Sequence, residues 1–133
     1  MTTSLAAIPK GHEFPPATFT LTPEWVRDYV AAVGDDAIAD AGDSFVPPMA
    51  IAALSIRAMI EASPLPAGTL HAGQELAFRR AVKPGETLTA NARVASRGER
   101  AGWVLMSVDM DVSAGGETVM TGRATVTFPA EAA

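Results

Sequence analysis

The chain has few side chains that could do chemistry. Cysteine is absent from its 133 residues, which removes disulfides, thiolate nucleophiles and thiolate metal sites together. Proton transfer therefore falls to two histidines, His12 and His71, and to carboxylates, of which Asp35, Asp36, Asp40 and Asp43 crowd one short segment. That segment lacks the glycine-centred spacing of a calcium loop, so turn and cap roles are its plain reading and no metal is expected. Ser44 and Ser55 have no histidine in readable pairing, so a hydrolase triad is unsupported. The glycines fall at turns, with no phosphate loop or dinucleotide fingerprint, and no cofactor is expected.

Cationic side chains offer a different chemistry. Arg79, Arg80 and Lys83 stand in one expected hairpin, and Arg93, Arg97 and Arg100 in the next. Such groups pair with phosphates, and on strand edges they equally serve solubility. The net charge of -5 argues against nucleic acid or an anionic membrane as partner, because counterion-driven binding needs a basic face. The N-terminus lacks the basic region of a signal peptide, and no run approaches ~18 apolar residues. The expectation is a cytoplasmic protein without a membrane partner.

These side chains need elements to position them. Composition allows a core, with 48% hydrophobic residues against 19% charged, and only 6% aromatic side chains means that small and aliphatic groups must build it. Thr22-Pro23-Glu24 predicts a helix start and Gly34 a stop. Trp25, Val26, Tyr29, Val30 and Val33 recur between them at helical spacing. Residues 35–44 read as a loop. Pro47-Pro48 then opens a helix of about four turns, ending before Pro64 and Pro66, apolar almost all round and so expected to be buried on every side. Met49 and Ala50 at its start carry N–H groups that could polarise a carbonyl, as helix N-termini do. Four alternating stretches come next, near 73–82, 87–97, 102–113 and 118–128, with a further strand near 17–21, and the connections read as hairpins. Val104, Met106, Val108, Met110 and Val112 alternate with mostly polar neighbours, which gives the sheet one apolar face. The predicted class is α+β, a single domain over 1–133 with an ordered core near 11–128, its antiparallel sheet wrapped around the long helix.

Three segments carry a family likeness: Ala32-Val33-Gly34-Asp35 closing the first helix, Val46-Pro47-Pro48-Met49 entering the second, and Leu70-His71-Ala72-Gly73-Gln74 leading to Phe78-Arg79-Arg80 and Lys83-Pro84-Gly85-Glu86. In order and spacing the chain resembles the MaoC-like hydratase/dehydratase family, closest to its N-terminal, non-catalytic dehydratase type. The resemblance implies a hot-dog fold, dimeric assembly, and an acyl thioester on coenzyme A or acyl carrier protein as ligand. Catalytic members carry a Gly-Asp-x-Asn-Pro-x-His segment whose Asp and His handle water and proton. Here Gly34 and Asp35 match its start, while Ala37, Ile38 and Asp40 stand where Asn, Pro and His would be.

The function implied by this resemblance is that of an acyl-thioester-binding subunit of an (R)-3-hydroxyacyl thioester dehydratase or enoyl-CoA hydratase. It would work as a homodimer or, more in keeping with the missing histidine, as a heteromer with a catalytic MaoC-like subunit. Asp35 would be a relic of the catalytic aspartate, His71 a weaker candidate whose bland role is a structural hydrogen bond, and Pro48, Met49, Ala50, Gln74, Arg79, Arg80 and Lys83 the substrate-binding set. His12, ahead of the expected core, reads as a surface residue. Ala53 in the buried helix would line the acyl tunnel. Two other readings stay open: a stand-alone acyl-CoA binding module, and a hot-dog thioesterase in which Glu61 or Asp35 activates water. Trp103 and Leu105 on the outer side of the third stretch suggest a covering subunit.

Overall fold

The computed structural model describes residues 3–34 and 45–132. Helix α1 (Pro23–Val33) starts where Thr22 Oγ1 accepts the Trp25 N–H at 3.1 Å. It ends at Gly34, whose φ of 69° is the left-handed conformation that a helix stop favours. Helix α2 (Pro48–Ala62) has prolines at its N-cap and first position and no side-chain cap. It buries Ala50, Ile51, Ala52, Ser55 and Met59, with the Ser55 hydroxyl returned to the Ile51 carbonyl at 2.8 Å. Burial on every side is not observed. Met49 is 56% exposed, and Ala53, Arg57 and Glu61 continue its line of outward residues. Four-residue spacing stacks these positions on one face, where Arg57 and Glu61 pair at 2.9 Å.

Five strands form one antiparallel sheet: β1 (Ala17–Thr20), β2 (Leu70–Phe78), β3 (Thr87–Arg100), β4 (Trp103–Ala114) and β5 (Glu117–Pro129). Their order is β1-β3-β4-β5-β2. The hairpin expected at 83–86 is therefore a crossover, running over 79–86, because β2 pairs with β5 at the far edge and not with β3. The chain is held along this crossover by Val46 N–H to Val82 O at 2.7 Å and Gly85 N–H to Leu21 O at 2.7 Å, which tie it to the entries of both helices. The β3–β4 turn also differs from the sequence reading. Gly98 continues β3, and the turn is Ala101-Gly102 with φ of 52° and 82°. Two successive left-handed residues match the right-handed twist of a tight hairpin.

The core has two lobes along α2. One joins α1 and the first half of α2 to Leu88, Val112, Val119 and Met120. The other joins Met59 to Val94, Val104, Met106, Val108 and Phe128, and Leu5, Ile8 and Phe14 of the N-terminal segment close it. Packing thus begins before residue 11: Leu5 is wholly buried and its N–H reaches the Pro64 carbonyl at 2.9 Å. His12 belongs to this strap, its carbonyl accepting the Val94 N–H at 2.9 Å and its ring meeting the Phe14 ring edge-on.

One ionic clamp locks the crossover. Arg80 gives two guanidinium bonds to Glu86, at 3.0 and 3.2 Å, and a third to Glu117 at 3.2 Å, while Glu86 also accepts the Lys83 N–H at 2.8 Å. Bonds from Arg80 and then from the Lys83 backbone hold the Glu86 carboxyl below the ordinary glutamate range. A lowered folded-state pKa stabilises the fold fully above about pH 4.5, and the contribution is lost as pH falls through the lowered value. Chemical denaturation of Glu86→Gln should show a shallower fall in stability between about pH 5 and pH 3 than the parent chain. A second constraint is steric. A Cβ on Gly122 would lie 2.9 Å from the Glu75 carbonyl of the neighbouring strand, so Gly122→Val should cost about 1–3 kcal/mol, or more if β2 detaches. Urea titration followed by circular dichroism measures it.

Candidate acyl-binding site

The sequence candidates separate into two groups at opposite ends of α2. At the N-terminal end stand Pro48, Met49 and Ala50. Pro48 has no N–H to offer, and the Ala50 N–H is already taken by the Pro47 carbonyl at 3.0 Å. Among the described residues nothing accepts from the Met49 N–H, which leaves it as the donor at this end. Asp35 lies outside the described residues, as do Asp36, Asp40, Asp43 and Ser44.

The crossover brings its cations to the same end, since Val82 bonds to Val46, two residues before α2. Arg79 extends the β2 pairing through its N–H to Val119 O at 2.8 Å; its side chain and that of Lys83 are exposed. Arg80 is different. With three bonds to Glu86 and Glu117, a phosphate there would have to displace two carboxylates. In the next strand Arg97 turns inward, donating to the Ile8 carbonyl at 3.2 Å with its guanidinium 5.8 Å from the Phe128 ring centre.

At the C-terminal end a cavity of about 130 Å³ opens between α2, the 65–69 loop, β2 and β5. Its walls are Ile56, Met59, Ile60, Leu65, Ala124 and Val126, with Thr69 and His71 at the polar side. His71 enters through the register of β2, where it faces Val126 on the inner side of the sheet. Its Nε2 lies 3.0 Å from Gln74 Oε1, and the Gln74 amide group donates to the carbonyls of Glu75 and Arg123, both at 3.2 Å. Those two donations orient the amide, so its oxygen accepts from His71 and the imidazole carries its proton on Nε2.

The two groups are far apart. From the first residue of α2 to the last is about 21 Å at 1.5 Å per residue, and from His71 to Arg79 about 26 Å along β2. Neither histidine stands at the N-terminal end. His71 borders the cavity, and His12 neighbours Phe14 in the lobe that contains Met59. The arrangement suits an elongated molecule with a polar head at the start of α2 and an apolar end among Ile56, Met59 and Ile60. Those three residues do not stand out in the sequence, although a helix with apolar positions beyond one face is the signal for them. Ala53, expected in the tunnel, is on the exposed line.

The family model described as FAS1-like, dehydratase domain region, matches residues 9–122. No curated protein matches the chain. Solved structures share its fold. The (R)-hydratase from A. caviae involved in PHA biosynthesis is 22% identical, with 92% of this chain and 98% of that one covered at a TM-score of 0.74. The MaoC-like dehydratase from Rhodospirillum rubrum is 19% identical, with coverage of 95% and 96% at 0.76. The HadBC (3R-hydroxyacyl-ACP dehydratase) complex from Mycobacterium tuberculosis is 22% identical, with coverage of 93% and 100% at 0.72. The helix-on-sheet architecture is thus the hot-dog fold of MaoC-like hydratases, and by its family match the chain belongs to the FAS1-like dehydratase-region family.

Proposed function

We propose that the chain binds acyl thioesters, on coenzyme A or a carrier protein, as one subunit of an (R)-3-hydroxyacyl thioester dehydratase or enoyl-CoA hydratase. The observation that carries this is the apolar cavity at the far end of α2 from the helix N-terminus. An engineered apolar cavity of about 150 Å³ takes up benzene, so a site of this size and lining accepts the end of an acyl chain while the thioester lies toward Met49. Hydration needs a base for water and an acid for the α-carbon within hydrogen-bond reach of the reacting atoms. With both imidazoles toward the other end of α2, the acid–base pair belongs to a second, catalytic MaoC-like subunit. The HadBC complex, a similar fold in heteromeric form, supports that division.

Glu61, the base that a thioesterase would have used, sits on the outward line of α2, bound to Arg57 at 2.9 Å. It faces away from the cavity, which weakens that reading. A stand-alone binding module keeps the same cavity and lacks only the partner.

Steady-state assays separate these readings. General acid–base help is typically ~10²–10⁴-fold, so the chain alone should hydrate crotonyl-CoA slowly or not at all, and a partner with an intact Asp-x-Asn-Pro-x-His segment should restore turnover. Asp35→Asn should then cost less than about threefold. Fast hydration by the chain alone, abolished by Asp35→Asn, would overturn the proposal. The cavity is tested separately. Ile60→Trp, at a half-buried wall position, should weaken hexadecenoyl-CoA binding about tenfold or more and leave crotonyl-CoA unchanged, as read by isothermal titration.

A further inference from the structure

The cavity at the C-terminal end of α2 has a polar side that binding a plain hydrocarbon chain leaves unused. Beside its apolar walls stand Thr69 and His71, where the 65–69 loop enters β2. Thr69 is half-buried and held by two bonds to one acceptor: its hydroxyl donates to the Pro66 carbonyl at 2.6 Å and its N–H to the same oxygen at 3.3 Å. The Nε2 hydrogen of His71 goes to Gln74, whose amide hydrogens go in turn to the carbonyls of Glu75 and Arg123. Both wall residues thus commit a hydrogen within the protein. What remains is an acceptor. Thr69 Oγ1 has given its hydrogen and keeps a lone pair, and among the described residues no donor reaches it. Nδ1 of His71 also has no partner among them.

The chemistry of the group that reaches this wall follows by comparing the ends an acyl chain can carry. A methyl end would take water away from Thr69 Oγ1 and put no donor in its place, which costs free energy. A ketone or carboxylate end brings only acceptors, set against the Thr69 oxygen. An ammonium brings donors together with a charge, and the walls hold no carboxylate to pair with it. A hydroxyl donates to Thr69 Oγ1 without a charge, and it can give to or accept from Nδ1 of His71. Size and reach agree. At about 130 Å³ the cavity is close to the ~150 Å³ that takes up benzene, room for a short terminal run of chain with its hydroxyl. Ile60 lies about 16 Å along the helix from Met49, so this run is the far end of a long chain. We infer that the site selects long acyl chains that carry a hydroxyl at the end remote from the thioester, with Thr69 Oγ1 as its acceptor and His71 beside it. The inference rests on the acyl-binding function proposed above and names the substrate class within it.

Isothermal titration of the full chain with three thioesters tests it: hexadecenoyl-CoA, ω-hydroxyhexadecenoyl-CoA, and the ω-methoxy compound, which keeps the oxygen and loses the hydrogen. The hydroxy compound should bind about three- to tenfold more tightly than hexadecenoyl-CoA, as one net hydrogen bond provides, and the methoxy compound should show no such gain. Thr69→Val should bring the ratio of hydroxy to parent affinity to about one, whereas Thr69→Ser, which keeps the hydroxyl and its bond to Pro66, should preserve the ratio. That pair separates recognition of the ligand from damage to the turn. Ile60→Trp, which fills the cavity, should also erase the ratio. Equal affinity for the hydroxy and parent thioesters would overturn the inference and leave acyl binding standing. A preference that survives Thr69→Val or Ile60→Trp would do the same, since the hydroxyl would then be recognised elsewhere. Binding of none of the three thioesters would overturn the acyl-binding function and this inference with it.

Discussion

Everything in the molecule hangs on α2 lying against the inner face of the sheet. The contact is made from small groups on the helix side, Ala50, Ala52 and Ser55, with Ile51 and Met59 as the larger anchors. The sheet answers with Val94, Val104, Met106, Val108 and Val112, all fully buried. Each such side chain contributes about 1.5–3 kcal/mol through removal from water. Because helix and sheet meet along a line, both ends of the contact would stay open. Helix α1 closes one and the strap from Leu5 to Phe14 closes the other. The cavity lies near the second closure, where Leu65 and Thr69 continue the wall.

How much of this was legible depends on whether a local signal determined it. The limits of α1 were written in Thr22, Pro23 and Gly34, each acting within one turn. The buried face of β4 was written in its alternation. The partner of β2 was not, because any alternating strand offers the same face to several neighbours, and only the crossover from Arg79 to Glu86 decides. The strap stayed hidden for a similar reason: Leu5, Ile8 and Phe14 follow no period, and their burial depends on residues distant in the chain, among them Pro64 and Val94.

The candidate site was less legible than the fold. Arg80 looked like a phosphate ligand because sequence shows a cation but hides Glu86 and Glu117, which come to it through a turn and a second hairpin. Met49 and Ala50 were both read as donors from the helix start alone, and the local turn that takes up the Ala50 N–H was invisible. Ile56, Met59 and Ile60 could not be told from ordinary core, since lining a cavity and filling one demand the same side chains.

Register faults in the strands decide both faces of the sheet together. His71 and Gln74 are three apart, which in an unbroken strand puts them on opposite sides. The shift between His71 and Gly73 lets Ala72 drop out of register, so both reach the inner face and their 3.0 Å bond can form. The shift between Val94 and Ser96 does the same for β3. It lets Val94 and Arg97 share the inner side, where Arg97 caps Ile8 and covers Phe128, and delivers Ser96 and Gly98 to the outer face. A one-residue slip inverts every side chain beyond it. Each bulge therefore does two things at once: it places one polar side chain at the end of the core and keeps the outer residues in step with their neighbours. Drawing Ala72 into the ladder, with no residue removed, would turn His71 and Leu70 over together, which couples the lip of the cavity to the outer face through the backbone alone.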